Sequence, residues 1–155
     1  MKRNNIDSSA RKIATTKAWL SVVRAYNLCD AALAARFSEL GLRVGEHEVF
    51  ANLVRSPGIT QQELAHRCFV AKSGISMLIT RMEAQKLLRR ESDANDGRIK
   101  RLYLSAKGSA LAAQTLAIQD EIVMRMMAPL SKNELDTLYE LSTHVSERLQ
   151  SVDEN

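Results

Sequence analysis

The chain has 155 residues, 45% of them hydrophobic, and a net charge of +4. This length suits one domain, or one domain with a dimerising extension, and the hydrophobic content excludes wholesale disorder. No apolar stretch approaches the roughly eighteen residues that span a bilayer, and no secretory segment follows the polar N-terminus. We therefore expect a cytoplasmic protein with no membrane partner.

The first predicted element is a long helix from about residue 11 to residue 40, in which apolar side chains recur at helical spacing. Gly41 follows it, as is common after a helix C-terminus. A second helix is predicted over residues 45–55, and Pro57-Gly58 then forces a turn.

Two short helices with a brief break between them follow. The first is predicted over residues 61–67, because Thr60 and Glu63 have the spacing of a capping box. The second is predicted over residues 71–85. Its inward stripe is Ile75, Leu78, Ile79 and Met82. Such a pair, whose second helix has a small polar outer face, is typical of a helix-turn-helix.

A basic β-hairpin is predicted next, with strands over residues 87–92 and 99–104 joined by the turn residues 94–97. Residues 81–107 contain eight basic side chains against four acidic ones, whereas residues 131–155 contain two against six. This asymmetry favours one face that binds a polyanion. A short helix followed by a basic hairpin is the layout of a winged helix-turn-helix that binds DNA.

Two more helices complete the chain. Ser105 caps the first, Pro129 ends it, and Ser131 and Glu134 form a second capping box. The apolar residues of the first helix are Leu111, Leu116, Ile118, Ile122 and Met126, and those of the second are Leu135, Leu138, Leu141 or Ser142, Val145 and Leu149.

These apolar stripes are too long for the winged core to cover, so we expect a homodimer. The predicted fold is mostly α with a small β-hairpin (α+β), a winged helix-turn-helix core flanked by N- and C-terminal dimerisation helices. The predicted organisation is a flexible tail (1–10), an N-terminal dimerisation helix (11–44), the DNA-binding core (45–104), C-terminal dimerisation helices (105–149) and a second tail (150–155).

Several stretches resemble one known family. They are Pro57 to Ala65 (PGITQQELA), Lys72 to Ser76 (KSGIS), Arg81-Met82-Glu83, and Asp96-Gly97-Arg98 followed by Leu102 to Gly108 (LYLSAKG). The order and spacing of these stretches resemble those of motifs in the multiple antibiotic resistance regulator (MarR) family. The resemblance covers residues 18–149 and implies a dimeric winged-helix repressor that binds double-stranded DNA at a palindromic operator.

The hairpin and the second short helix supply the candidate DNA contacts. Arg98 at the hairpin tip suits a narrow minor groove, and Asp96 resembles the family acid that holds this arginine extended. Arg81 resembles a backbone-contacting position; its alternative is an ion pair with Glu83 or Asp96. The full predicted set is Thr60, Gln62, Lys72, Ser73, Ser76, Met77, Thr80, Arg81, Arg89, Asp96, Arg98 and Lys100.

The sequence departs from the family pattern at positions that bear on function. Lys86 stands where a glycine usually follows the recognition helix, and Met77 where a polar or basic residue is common. Arg43 and His47 replace a helix-capping threonine and an aromatic residue, in a region that lies by the effector cleft in relatives.

The resemblance also implies a small effector, often an aromatic or phenolic anion, between the dimerisation helices and the core. Candidates for its contacts, each with a plain core or surface role as the alternative, are Trp19, Arg24, Tyr26, His47 and Phe50. A thiol-based redox response through Cys29 is an alternative, although no sequence neighbour clearly favours the reactive thiolate.

Other classes of function find little support in the sequence. A winged-helix module for protein interaction would not need the basic hairpin tip. The chain has no phosphate-binding glycine loop and no nucleophile motif, and its three histidines have no metal-ligand spacing. We therefore expect no enzyme activity, no cofactor and no metal.

Overall fold

The computed structural model describes residues 2–68 and 72–150, with only the backbone given for residues 2–7, 72, 73, 149 and 150. The predicted break at residues 68–70 lies mostly outside these residues. The elements are α1 Lys2–Ser38, α2 Val44–Arg55, α3 Gln61–Arg67, α4 Lys72–Ala84, β1 Leu88–Ser92, β2 Lys100–Leu104, α5 Ala106–Met127 and α6 Lys132–Gln150.

The chain divides into two compact units, Met1–Asp120 and Glu121–Asn155, with the division inside α5. The first unit contains α1 to α4, the hairpin and the first part of α5. The second contains the end of α5 and α6. α1 begins at Lys2 rather than near residue 11, and it ends three residues before Gly41, which has a φ of 69°.

The core of the first unit is formed by α2, α3, α4 and the hairpin. Phe50 of α2, Leu64 of α3 and Leu102 of β2 have no exposed surface. The predicted inward stripe of α4 is confirmed at Ile75, Ile79 and Met82. Leu78, the fourth member, is only half-buried and lies next to Gly45 at the start of α2.

Both capping boxes form as predicted. The Thr60 hydroxyl accepts a hydrogen bond from the Glu63 amide at 3.2 Å, and the Glu63 carboxylate accepts one from the Thr60 amide at 2.6 Å. Ser131 and Glu134 repeat this arrangement at α6. Ser105 caps α5 by accepting from the Gly108 amide at 3.0 Å. These local contacts fix where three helices begin.

The buried face of α5 consists of small residues rather than of its large apolar ones. Its buried residues are Gly108, Ala112 and Thr115, whereas Leu111, Leu116, Ile118 and Ile122 are half-buried and Met126 is exposed. A Cβ at Gly108 would lie 1.8 Å from the Leu87 carbonyl oxygen. The helix therefore packs through its small residues, because they allow the backbones to approach closely.

β1 and β2 form an antiparallel pair that runs from Leu88 opposite Leu104 to Ser92 opposite Lys100, as predicted. The hairpin is also bonded to the segment before α3. Gly58 donates to the Leu102 carbonyl at 2.9 Å, and Leu102 donates to the Ile59 carbonyl at 3.0 Å. Gly58 has a φ of 83°, and a Cβ there would lie 2.7 Å from the Tyr103 hydroxyl. Glycine is thus required at this junction.

The C-terminus of α4 departs from the usual glycine ending. Lys86 adopts a φ of 60°, the left-handed conformation that glycine occupies most easily. The Leu87 amide donates to the Met82 carbonyl at 2.9 Å, which closes the helix end. The helix therefore ends with a left-handed residue and a closing hydrogen bond, but that residue is a strained lysine instead of a glycine.

Candidate nucleic-acid interface

The hairpin tip presents one arginine to solvent in a fixed direction. The Asp96 carboxylate accepts hydrogen bonds from the Arg98 amide at 3.0 Å and from Arg98 Nε at 3.1 Å. The Arg98 side chain is nevertheless 92% exposed. The Arg98 side chain, helped by its backbone amide, lowers the pKa of Asp96. Asp96 therefore stays ionised and orients Arg98 without covering it.

A second ion pair anchors the base of the hairpin. Asp93 accepts from the Asn95 amide at 2.8 Å and pairs with Arg101, and these bonds lower the pKa of Asp93. Arg101 also donates to the Gly58 carbonyl at 2.9 Å. Through Arg101, the base of the hairpin is therefore bonded to the turn before α3.

Most other hairpin arginines already have partners. Arg89 is bonded to Glu91 at 2.6 Å and lies over the Tyr103 ring. Arg90 pairs with Glu83 and donates to the Thr80 hydroxyl at 3.3 Å. Lys100 is exposed, and its one bond within the described part of the chain is to the Ser92 hydroxyl, at 2.6 Å. Of the basic residues predicted on the hairpin, Arg98 and Lys100 are thus the more available to an anion.

The outward face of α4 carries the predicted recognition residues. Ser76 and Thr80 are exposed, and the Met77 side chain between them is 75% exposed. The side chains of Lys72 and Ser73 lie outside the described residues. At α3, Thr60 is half-buried because its hydroxyl caps the helix, and Gln62 is exposed.

Arg81 has a partner that the sequence did not suggest. Its Nη2 atom donates to Glu46 Oε1 at 3.1 Å, and the Glu46 side chain is only 3% exposed. Neither Glu83 nor Asp96 is this partner: Glu83 pairs with Arg90 and Asp96 with Arg98. The pair joins the last turn of α4 to the first turn of α2, 35 residues away along the chain.

A cavity of about 320 Å³ in the first unit brings together two of the predicted effector residues, Tyr26 and His47. Trp19, Arg24 and Phe50 are not among its lining residues, and Phe50 is completely buried in the core. No sequence motif identifies the other polar lining residues. They are Asp30, Glu48, Asn52, Arg55, Arg67, Cys68 and Gln119, with Cys29 beside them.

The cavity wall has unusual protonation properties. Burial lowers the pKa of His47, whose Nε2 lies 3.2 Å from Gln119 Oε1, so this imidazole is neutral at pH 7. Burial and then the nearby Asp30 carboxylate raise the pKa of Glu48. Burial and Glu48 raise the pKa of Cys68 to about 11, which keeps this thiol protonated. The wall is thus polar and partly uncharged.

Within the described part of the chain, no helix is long and apolar enough to cross a bilayer. The same residues contain no group of three or more His, Cys, Asp or Glu side chains arranged to hold a metal ion.

A helix-turn-helix with an arginine-tipped hairpin beside it defines a winged-helix DNA-binding protein. A family model described as "MarR family" matches residues 40–99. The chain is also 29% identical over 96 residues to the transcriptional regulator HosA of Escherichia coli O157:H7, a match that covers 62% of this chain and 71% of HosA. The chain is thus similar to the transcriptional regulators of the MarR family, and most of its winged core lies within the matched residues.

Solved structures of such regulators have the same fold. AbsC, a MarR family transcriptional regulator from Streptomyces coelicolor, superposes with a TM-score of 0.80 at 26% identity, covering 88% of this chain and 94% of AbsC. A mutant MarR from E. coli, solved with operator DNA, gives 0.72 at 20% identity, covering 80% and 89%. The organohalide-sensing regulator RdhR, in its 2,4-dichlorophenol-bound form, gives 0.75 at 20% identity, covering 87% and 80%.

Proposed function

We propose that this regulator is a cytoplasmic homodimeric repressor that binds a palindromic operator and is released from it by a small effector. Residues 45–104 are its DNA-binding core, and the helices on either side hold the dimer together. The observation that carries the DNA-binding part is Arg98, 92% exposed and held by Asp96 at the tip of the hairpin. A guanidinium in this position suits the minor groove beside the major groove that α4 would occupy.

The first experiment is selection of bound sequences from random DNA, followed by titration of the selected operator across salt. We expect a palindrome whose half-sites lie about one DNA turn, roughly 34 Å, apart. Arg98→Ala should weaken binding by roughly tenfold. The matched control is Arg125→Ala, which removes an exposed arginine from α5, outside the winged core. Selection of no common sequence would contradict operator recognition.

The dimer is proposed from apolar side chains that the single chain leaves exposed. On α6, Leu138, Leu141 and Val145 follow a helical spacing and face solvent. On α1, Trp19 and Val22 are also exposed. Contiguous apolar patches of this kind mark protein interfaces, and a second copy would cover the same patches on both chains.

The effector site is proposed at the cavity that contains Tyr26 and His47. The family resemblance leads us to propose a small aromatic or phenolic anion, and RdhR, of similar fold, was solved with 2,4-dichlorophenol. Arg55 and Arg67 lie on the wall and would attract an anion. A ligand there would release DNA only in so far as it binds the free form more tightly than the bound form.

This site is tested with benzoate and phenol as probes. Either probe should raise the melting temperature of the free protein and lower its affinity for the operator. Tyr26→Ala should abolish both effects, whereas Glu39→Ala, at an exposed residue outside the cavity, should abolish neither. An equal response of both variants to the probes would argue against this cavity.

A redox response is the second candidate, because Cys29 and Cys68 line the same cavity. Cys29 is half-buried, whereas Cys68 is buried and its raised pKa makes it a poor nucleophile. This candidate therefore depends on Cys29. It predicts that treatment with hydrogen peroxide releases DNA from the wild type but not from Cys29→Ser.

A further inference from the structure

A second cavity, of about 360 Å³, lies beside the recognition helix, and we call it the Arg43 cavity. One stripe of α4 forms its first wall, and the start of α2 forms the other. Its lining residues are Arg43, Gly45, Gly74, Met77, Leu78 and Arg81. Met77 is both on this wall and on the outward face of α4, so the cavity opens beside the surface proposed to enter the major groove.

The charges around this cavity are not balanced. Both oxygens of Glu46 are already engaged: Oε1 accepts from Arg81 Nη2 at 3.1 Å, and Oε2 accepts from the Arg43 backbone amide at 2.7 Å. Glu46 therefore compensates Arg81 alone. Among the described residues, no carboxylate lies within ion-pair distance of the exposed Arg43 guanidinium. One positive charge is left over at the cavity.

The same bonds explain why the Arg43 side chain is available. Arg43 is the residue before α2, a position where a threonine would use its hydroxyl to cap the helix. Here the Glu46 carboxylate bonds to the Arg43 amide, and an arginine side chain has no acceptor with which to cap a helix amide. The helix start is thus held by Glu46, and the guanidinium is free to bind elsewhere.

We propose that Arg43 binds a phosphate of the DNA backbone when α4 lies in the major groove. A helix in that groove, which is about 12 Å wide, is flanked by phosphates of both strands. Arginine binds phosphate oxygens through two parallel hydrogen bonds. Arg43 would therefore add a contact from α2, outside the helix-turn-helix pair and the hairpin. This inference rests on the DNA-binding function proposed above.

The test is binding of Arg43→Gln to the selected operator and to unrelated DNA across salt. Loss of one phosphate contact in each half-site should weaken binding to both DNAs about threefold to tenfold. It should also reduce the slope of log K against log salt by roughly one per half-site. Arg43→Lys, which keeps the charge, should retain most of the slope. Arg125→Gln is the matched control and should leave it unchanged.

The outcomes separate this proposal from the proposed function. If the wild type selects an operator and Arg43→Gln has the wild-type slope, the Arg43 contact is wrong while operator binding stands. If the wild type binds no DNA sequence selectively, the proposed function fails first. A melting temperature of Arg43→Gln equal to that of the wild type would exclude misfolding as the cause of a loss.

Discussion

Arg81 of the recognition helix α4 donates to the buried carboxylate of Glu46 on α2, with Nη2 and Oε1 3.1 Å apart. This contact makes the orientation of α4 depend on the first turn of α2. Glu46 also bonds to the Arg43 amide, so one carboxylate fixes both the start of α2 and the end of α4.

Replacing Glu46 by glutamine should therefore affect stability and DNA binding together. The amide keeps the shape but removes the charge that Arg81 faces, and we expect a loss of about 1–3 kcal/mol in the free energy of unfolding. Urea denaturation measures this loss. Glu39→Gln, at an exposed ion pair with Arg36, should change the stability by less than about 0.5 kcal/mol. Equal effects of the two substitutions would show that the Glu46 contact is unimportant.

Lys86→Gly should stabilise the protein. Lys86 has a φ of 60°, a conformation that costs a lysine roughly 1 kcal/mol and a glycine almost nothing. Since glycine also increases the entropy of the unfolded chain, we expect a net gain of about 0.5 kcal/mol in thermal or urea unfolding. Ala84→Gly, at the last residue of α4, should instead destabilise. A destabilised Lys86→Gly would mean that the strain is absent in solution.

The free energy of unfolding should decrease at acidic pH because of His47. Its folded pKa is lowered by burial from the usual 6.5, so below pH 6.5 the unfolded chain takes up a proton that the folded chain does not. Stability is thus lost as pH falls from 6.5 towards the folded pKa. His47→Phe should remove this part of the pH dependence, whereas His66→Gln, at an exposed histidine, should keep it. Urea denaturation at a series of pH values measures both, and identical profiles would contradict the assignment.

The dimer should depend on the apolar face of α6. Leu141 is 59% exposed in the single chain, and Leu141→Lys would place a charge where the second copy is proposed to pack. We expect monomers by analytical ultracentrifugation and loss of operator binding. Ser146→Lys, at an exposed residue on a different face of the same helix, adds the same charge and should remain dimeric. A dimeric Leu141→Lys would move the interface away from α6.

The parts of the fold that depend on near neighbours in sequence were predictable. The capping boxes at Thr60 and Ser131 and the hairpin after residue 87 are local, and each was confirmed. Helical periodicity likewise found the buried residues of α4, apart from Leu78. It does not identify the buried face of α5, because that helix packs through the small residues Gly108, Ala112 and Thr115.

The candidate sites were harder to predict because they depend on distant contacts. The Asp96–Arg98 pair spans two residues and could be anticipated. The Glu46–Arg81 pair spans 35 residues, and no local signal identifies it. Phe50 is completely buried, which fits the plain core role that the sequence leaves open beside a ligand contact.

The ion pairs of the hairpin have a consequence for how the protein finds its target. Arg89, Arg90 and Arg101 are bonded to carboxylates, so each must exchange a carboxylate for a phosphate before it can hold a duplex. Non-cognate DNA lacks the specific base contacts that would favour exchange of a carboxylate for a phosphate. We expect short residence on non-cognate DNA and rapid movement between sites, and single-molecule tracking on stretched DNA measures both. Because these ion pairs weaken binding to non-cognate DNA, a small number of protein molecules could search a whole chromosome.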